Sequence, residues 1–178
     1  MNIAMRCFAT AAICCGVLPI GSAMAGWQRM ESPRGTADVT LKGQKITIDY
    51  GRPSMHGRKI MGGLVPYGQV WRTGANAATG LETPVDLVIG NTNVPAGKYT
   101  LYSLINDGTW KLIINKQVGQ WGTEYEQGQD LARVDMKVSK TEAPVEQFTI
   151  SWKQTGPDRA DLIMEWENTR ASVPVRAK

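Results

Sequence analysis

Lys98-Tyr99-Thr100-Leu101-Tyr102-Ser103-Leu104-Ile105-Asn106 and Thr109-Trp110-Lys111-Leu112-Ile113-Ile114-Asn115 are two runs of strand-forming residues that meet at the dipeptide Asp107-Gly108. Aromatic and β-branched side chains fit a pleated surface, and Asp-Gly accepts the positive φ values of a tight type I′ turn. The stretch therefore predicts a β-hairpin. Its first strand carries apolar residues on both faces, Tyr99, Leu101 and Ile105 on one and Tyr102 and Leu104 on the other. That pattern suits a strand inside a packed sandwich better than one at a wet edge.

The same periodicity extends outward in both directions. Upstream, Val94-Pro95-Ala96-Gly97 reads as a turn into the hairpin, with Pro95 presetting φ. Residues 37–42 and 45–50 read as an earlier hairpin about Gly43-Gln44, with Ile46, Ile48 and Tyr50 on one face and Lys45, Thr47 and Asp49 on the other. Downstream, Ala132, Val134, Met136 and Val138 alternate with polar residues, as do Phe148, Ile150 and Trp152, and then Ala160, Leu162, Met164 and Trp166. A turn near Asn168-Thr169 is expected to return the chain through residues 171–175 as a last strand. The tally is roughly nine or ten strands. No apolar stripe of helical period and length occurs, so at most a helical turn or two is expected, near residues 59–62. The expected fold class is all-β: an antiparallel β-sandwich, jelly-roll or Greek-key in wiring, with one long irregular loop.

The N-terminal residues predict an address. Residues 1–25 carry Arg6 in a short polar stretch, an apolar run from Phe8 to Ile20, and Ala23-Met24-Ala25 before Gly26. This is the pattern of a secretory signal peptide cleaved after Ala25. Pro19 and Gly21 interrupt the run, which weakens a retained anchor, and Cys14 and Cys15 sit in a poor context for lipid attachment. The expected organisation is a leader, 1–25, and one domain, 26–178, exported to the periplasm or secreted. All three cysteines, Cys7, Cys14 and Cys15, lie in the leader. Disulfides, thiolate catalysis and Cys-ligated zinc are thereby excluded from the expected mature domain. Its stability rests on core burial, which at this size covers roughly 70% of the unfolded chain's surface. The formal net charge of +4 falls to +3 without Arg6, and no basic run exceeds Arg58-Lys59. Neither nucleic acid nor a membrane-binding polybasic patch is implied.

Between Tyr50 and the strand expected near Thr79 lies the long loop, which includes Arg52-Pro53-Ser54-Met55-His56-Gly57-Arg58 and Leu64-Val65-Pro66-Tyr67-Gly68-Gln69-Val70-Trp71-Arg72-Thr73-Gly74-Ala75-Asn76. Loops this long are usually functional or disordered, and the apolar and aromatic content here argues against disorder. Residues 50–58 and 64–76 resemble the signature of an uncharacterised family of exported bacterial proteins, a domain of unknown function. The resemblance extends from about Thr36 to Val175, through Val94-Pro95-Ala96-Gly97, Gln120-Trp121-Gly122 and Glu165-Trp166-Glu167-Asn168-Thr169. It departs at Ala77, where the family commonly carries an acidic residue. The resemblance implies export and a domain boundary, and brings no activity, substrate or catalytic residue.

The loop's own chemistry offers two readings. Arg52, Arg58 and Arg72 are three planar cations suited to grasping a carboxylate or phosphate. Alternatively they pin the loop by bonding backbone carbonyls or the carboxylates Asp49, Glu82 and Asp86. Tyr67 and Trp71, with Trp121 and Tyr125 from a second loop and Asn76 beside them, are candidates to line a groove for a sugar or other planar ligand, against a role as core or loop plug. His56 is the only histidine, so a metal site with two histidines is impossible. Met55, His56 and Met61 as a soft copper site is a weaker reading, and neither a metal nor a cofactor is expected. Nothing resembles a nucleophile motif. The leading expectation is an exported, non-catalytic module that binds a small anionic or sugar-like ligand through residues 51–76. The alternatives are a hydrolase using His56 or carboxylates such as Glu124, Glu126, Asp130, Glu165 and Glu167, and a structural envelope protein. Glu165 and Glu167 are also explained as a solvated strand face. Oligomeric state is left open.

Overall fold

Asp107 and Gly108 form a two-residue turn that joins β7 (Gly97–Asn106) to β8 (Thr109–Asn115); only Gly108, at φ 73°, takes a positive φ, so the turn is not the expected type I′. The structure, a computed structural model, describes residues 32–178; the expected leader lies outside the described residues. The other strands are β1 (Arg34–Leu41), β2 (Gln44–Gly51), β3 (Val70–Trp71), β4 (Thr79–Thr83), β5 (Leu87–Ile89), β6 (Thr92–Val94), β9 (Asp130–Gln154) and β10 (Arg159–Ala177). Their pairing is antiparallel throughout, in the order β1-β2-β4-β7-β8-β9-β10-β5-β6, with β3 added to β7. After β4 the chain leaves its neighbours, builds the β5–β6 hairpin beside β10, and returns to pair β7 with β4. That detour is a Greek-key kind of connection.

The sheet doubles back because β9 and β10 are long enough to serve two layers. The first part of β9 pairs with β8, from Trp110↔Met136 to Asn115↔Asp130, and its last part pairs with β10, from Ala160↔Gln154 to Glu165↔Thr149. Side chains and loop backbone then join the first strands to that last part. The Tyr50 hydroxyl accepts the Ile150 N–H at 2.9 Å and donates to the Ile150 carbonyl at 3.3 Å. Trp152 Nε1 donates to the Ala37 carbonyl at 3.2 Å. Phe148 N–H donates to the Pro53 carbonyl at 2.9 Å, and Met55 N–H to the Glu146 carbonyl at 2.8 Å. An all-β sandwich is thus made from one antiparallel sheet folded on itself, which leaves few unpaired edges.

Between the layers sits a core that includes Leu41, Ile46, Ile48, Leu101, Leu112, Phe148, Met164 and Trp166, all essentially inaccessible. Strands β7 and β8 lie in the middle of the order, as their two-sided apolar pattern requires. Their outer face is buried too: Tyr102 and Ile113 are opposite each other and inaccessible, and the Tyr102 hydroxyl donates to the Glu124 carbonyl at 3.1 Å. The 116–129 loop therefore covers them.

Two expectations fail for the same reason, which is that strands of this fold bend rather than break. Asn168-Thr169 is not a turn: β10 runs on through it, and the pairing with β9 shifts register between Glu165 and Glu167 and again between Glu167 and Thr169. Glu167 takes φ 55°, so the bulge absorbs the chain reversal that the local residues suggest. Likewise the stretches around 132–138 and 147–152 belong to one strand. Residues 59–62 form no helix. Gly63 and Val65 donate to the Ile60 carbonyl, and Leu64 to that of Lys59, while the one 3₁₀ turn among the described residues is Gln127–Gln129.

Candidate functional site

The two ends of the long loop meet because Gly51 has no side chain; a Cβ there would lie 2.1 Å from the Ala75 carbonyl oxygen. The three arginines then part company. Arg52 lays its stem on Gly35, where a Cβ would lie 2.5 Å from its Cδ, and reaches Thr149 Oγ1 at 3.4 Å. Its Nε is buried without an acceptor. Arg58 donates to the Met55 carbonyl at 2.9 Å and the Ser54 carbonyl at 2.7 Å, closing its own loop. Arg72 packs on Gly122, where a Cβ would lie 2.6 Å from its Cδ. No two of them share a hydrogen-bond partner: Arg58 is tied to its own loop's carbonyls, while Arg52 and Arg72 pack on glycines from different segments. The carboxylates offered to them are engaged elsewhere: Asp49 pairs with Arg34, Glu82 with Lys98 at 3.2 Å, and Asp86 accepts the Ala96 N–H at 2.8 Å.

The remaining candidates are spread over separate places. Trp71 belongs to the core margin, stacked on Trp166 with ring centroids 5.7 Å apart and edge-on to Phe148 at 4.9 Å and Trp110 at 6.2 Å. It does not line a groove as expected, because β3 pairs it opposite Ser103 on the inner face. Asn76, at φ 63°, donates to the Ser32 carbonyl and accepts the Gly122 N–H; this gathers Asn76, Arg72 and the exposed Trp121 around Gly122. His56, at φ 48°, is exposed at a turn whose backbone N–H donates to Glu146 Oε1 at 2.9 Å.

Tyr125 joins a fixed polar cluster. Its hydroxyl donates to Asp130 Oδ2 at 2.7 Å and accepts from Arg133 Nη2 at 2.8 Å, while buried Asn115 donates to Asp130 Oδ1 at 2.9 Å. Burial, followed by the bond to Asp130 and that residue's charge, pushes the Tyr125 phenol up to about 12. The folded state favours the neutral phenol, so this contribution to stability is complete below the ordinary tyrosine value near 10 and disappears as pH rises through the folded value. Absorbance titration is expected to show a late-ionising tyrosine, and Tyr125→Phe should remove that step.

A cavity does form where the long loop crosses the open end of the sandwich. The register puts Ile105 opposite Trp110 and Trp110 opposite Met136 at the hairpin end of β7 and β8. Met61 and Tyr67 come over this end from the loop, and Val138, Lys140, Asn168 and Thr169 bound it from β9 and β10, around about 360 Å³. Three features hold the loop there. Glu167 accepts the N–H groups of Ile60 and Met61 at 3.3 and 3.1 Å. The Gly68 N–H donates to the Ile105 carbonyl at 2.9 Å. The Tyr67 ring lies against Gly62, where a Cβ would be 2.8 Å from its Cε2. Glu167 is therefore a loop anchor and not part of a solvated face, and Glu165 pairs with Arg170 at 2.8 Å. Trp110 is 1% exposed and its indole N–H has no acceptor, whereas Tyr67 is 43% exposed at the rim.

Of the sequence candidates, Tyr67 lines this mouth, as does Met61 from the weaker copper reading. Trp110 was missed because its strand position marks it as core, and the bulge on β10 was missed because Glu167-Asn168-Thr169 reads locally as a turn. A family model described as "Protein of unknown function (DUF2911)" matches residues 32–175. No curated protein and no solved structure matches the chain.

Proposed function

The chain belongs to that family of unknown function, and we propose that it is an exported, non-catalytic binding module whose ligand seat is the mouth between Met61, Tyr67 and Trp110. Export is supported by the leader pattern in residues 1–25. The observation that carries the seat is the cavity itself, about 360 Å³ walled by Met61, Ile105, Trp110 and Val138 and fronted by the exposed Tyr67 ring. Those walls offer a ligand apolar contact, while Asn106, Asp107, Ser139, Lys140 and Asn168 make a polar rim. Apolar walls with a few placed polar groups are the common form of a small-molecule pocket. The class that fits is a small, largely apolar molecule with a polar end for that rim. Non-catalytic binding is the simpler reading because one carboxylate, Asp107, lines the mouth, and Glu167 beside it is occupied by two backbone N–H groups.

Acetylated, amidated leucine and phenylalanine serve as probes, read by the Trp110 indole N–H resonance. They are expected to move that resonance, and Tyr67→Ser is expected to weaken the effect about tenfold, whereas Tyr67→Phe, which keeps the ring on Gly62, is expected to retain it. An indole resonance indifferent to both probes would sink the proposal.

A further inference from the structure

A second hollow lies on the outer face of the sheet, away from the loop's mouth. In the register of β2, β4 and β7, Asp49 is opposite Gly80 and Gly80 opposite Thr100, while Thr47 is opposite Glu82 and Glu82 opposite Lys98. Residues two apart share a face, so these six positions form one surface. At its centre Gly80 contributes no side chain, and a Cβ built there meets nothing within 4 Å. The surface therefore dips, and the segment 118–120 raises a wall beside the dip. Together with Arg34 and Leu81 they enclose about 340 Å³, near the lower end of ordinary ligand pockets.

The charges in this hollow cancel in pairs. The Arg34 guanidinium grips the Asp49 carboxylate with two nitrogens, and Lys98 meets Glu82 at 3.2 Å. An anion would have to displace Asp49 from Arg34 or Glu82 from Lys98, and a cation would have to do the reverse. An uncharged ligand that both donates and accepts can use the outer lone pairs and N–H groups of both ion pairs without breaking either. Gln120 adds a fixed amide: its Nε2 donates to Thr100 Oγ1 at 3.1 Å and to the Tyr102 hydroxyl at 3.0 Å, leaving Oε1 buried without a donor. Val118, 52% accessible, supplies apolar surface of the kind that faces the C–H groups of a sugar ring.

We infer that the Gly80 hollow is a binding site for a neutral polyhydroxylated ligand, a short saccharide in chemical class. It is separate from the Trp110 mouth and stands or falls independently of it. The test is titration of the ¹⁵N-labelled protein with glucose, N-acetylglucosamine and their β-1,4-linked disaccharides, with sodium phosphate and sodium acetate as charged counterparts. Millimolar saccharide is expected to shift the Gly80, Gly119 and Gln120 amides and to leave the Trp110 indole resonance in place. Gly80→Phe fills the dip and is expected to abolish the shifts at unchanged melting temperature. Should that variant fold poorly, Val118→Trp closes the hollow from the exposed wall, since Val118 is 52% accessible, and is expected to have the same effect. Shifts evoked by phosphate or acetate instead, shifts that survive both substitutions, or no response to any saccharide would each overturn the assignment.

Discussion

A Trp71→Ala protein is expected to lose about 3–5 kcal/mol of stability, although Trp71 is only half-buried. Its ring is the hub of an aromatic cluster, with centroid distances of 4.9 Å to Phe148, 5.7 Å to Trp166 and 6.2 Å to Trp110. Trp166 and Phe148 are inaccessible and cannot move without disturbing both layers. Removing the hub takes away the buried area and three ring contacts, each worth about 0.5–1.5 kcal/mol beyond area, and opens a cavity that the long β9 and β10 strands are too constrained to close. Trp71→Phe keeps an aromatic ring in place and is expected to lose roughly half as much. Urea denaturation followed by far-UV circular dichroism measures both. A Trp71→Ala protein with wild-type stability but impaired ligand retention would restore this indole to the ligand surface expected from the loop's composition.

The fate of Trp71 shows what local sequence can carry. A two-residue strand such as β3 has no period, so nothing near Val70 and Trp71 announces that they pair with Leu104 and Ser103; the inward orientation comes from a partner some thirty residues away in the chain. The hairpins about Gly43 and Gly108 were legible because turn and strand residues lie side by side, although the first turns at Lys42-Gly43, with Leu41 opposite Gln44, one residue earlier than the expected Gly43-Gln44. Strands β5 and β6, three residues each, are too short to show alternation. The closure of the sheet was hidden for a different reason: Tyr50 and Ile150 are far apart in sequence, and a phenol is equally at home in a core or at a rim. Among the loop arginines, backbone pinning describes Arg58, whereas Arg52 and Arg72 are placed by packing on Gly35 and Gly122. Such a glycine gives no sign in sequence of which side chain it receives.

Glu167→Ala is expected to cost about 2–4 kcal/mol, because the carboxylate accepts two backbone N–H groups and bonds to a charged acceptor are worth about 1.5–3 kcal/mol each, reduced here by the 3.3 Å length of one. Ile60 is inaccessible and Met61 nearly so, and water does not readily replace the lost acceptor. Part of the penalty is offset in a second variant. Glu167 sits at φ 55°, a conformation that costs a non-glycine residue roughly 1–2 kcal/mol, so Glu167→Gly should be about 1 kcal/mol more stable than Glu167→Ala although both lack the carboxylate. Glu167→Gln retains one acceptor and falls between Glu167→Ala and the wild type. Hydrogen exchange at Ile60 and Met61 locates the effect: both amides should exchange faster in the alanine and glycine variants, and probe affinity at the Trp110 mouth should fall in both, since Met61 and Tyr67 lose their anchor. Unchanged exchange at those amides in Glu167→Ala would mean that the β10 bulge does not hold the loop over the mouth. The bulge would then be a local accommodation in a long strand, and the mouth would owe its form to Gly68 and the Tyr67–Gly62 contact alone.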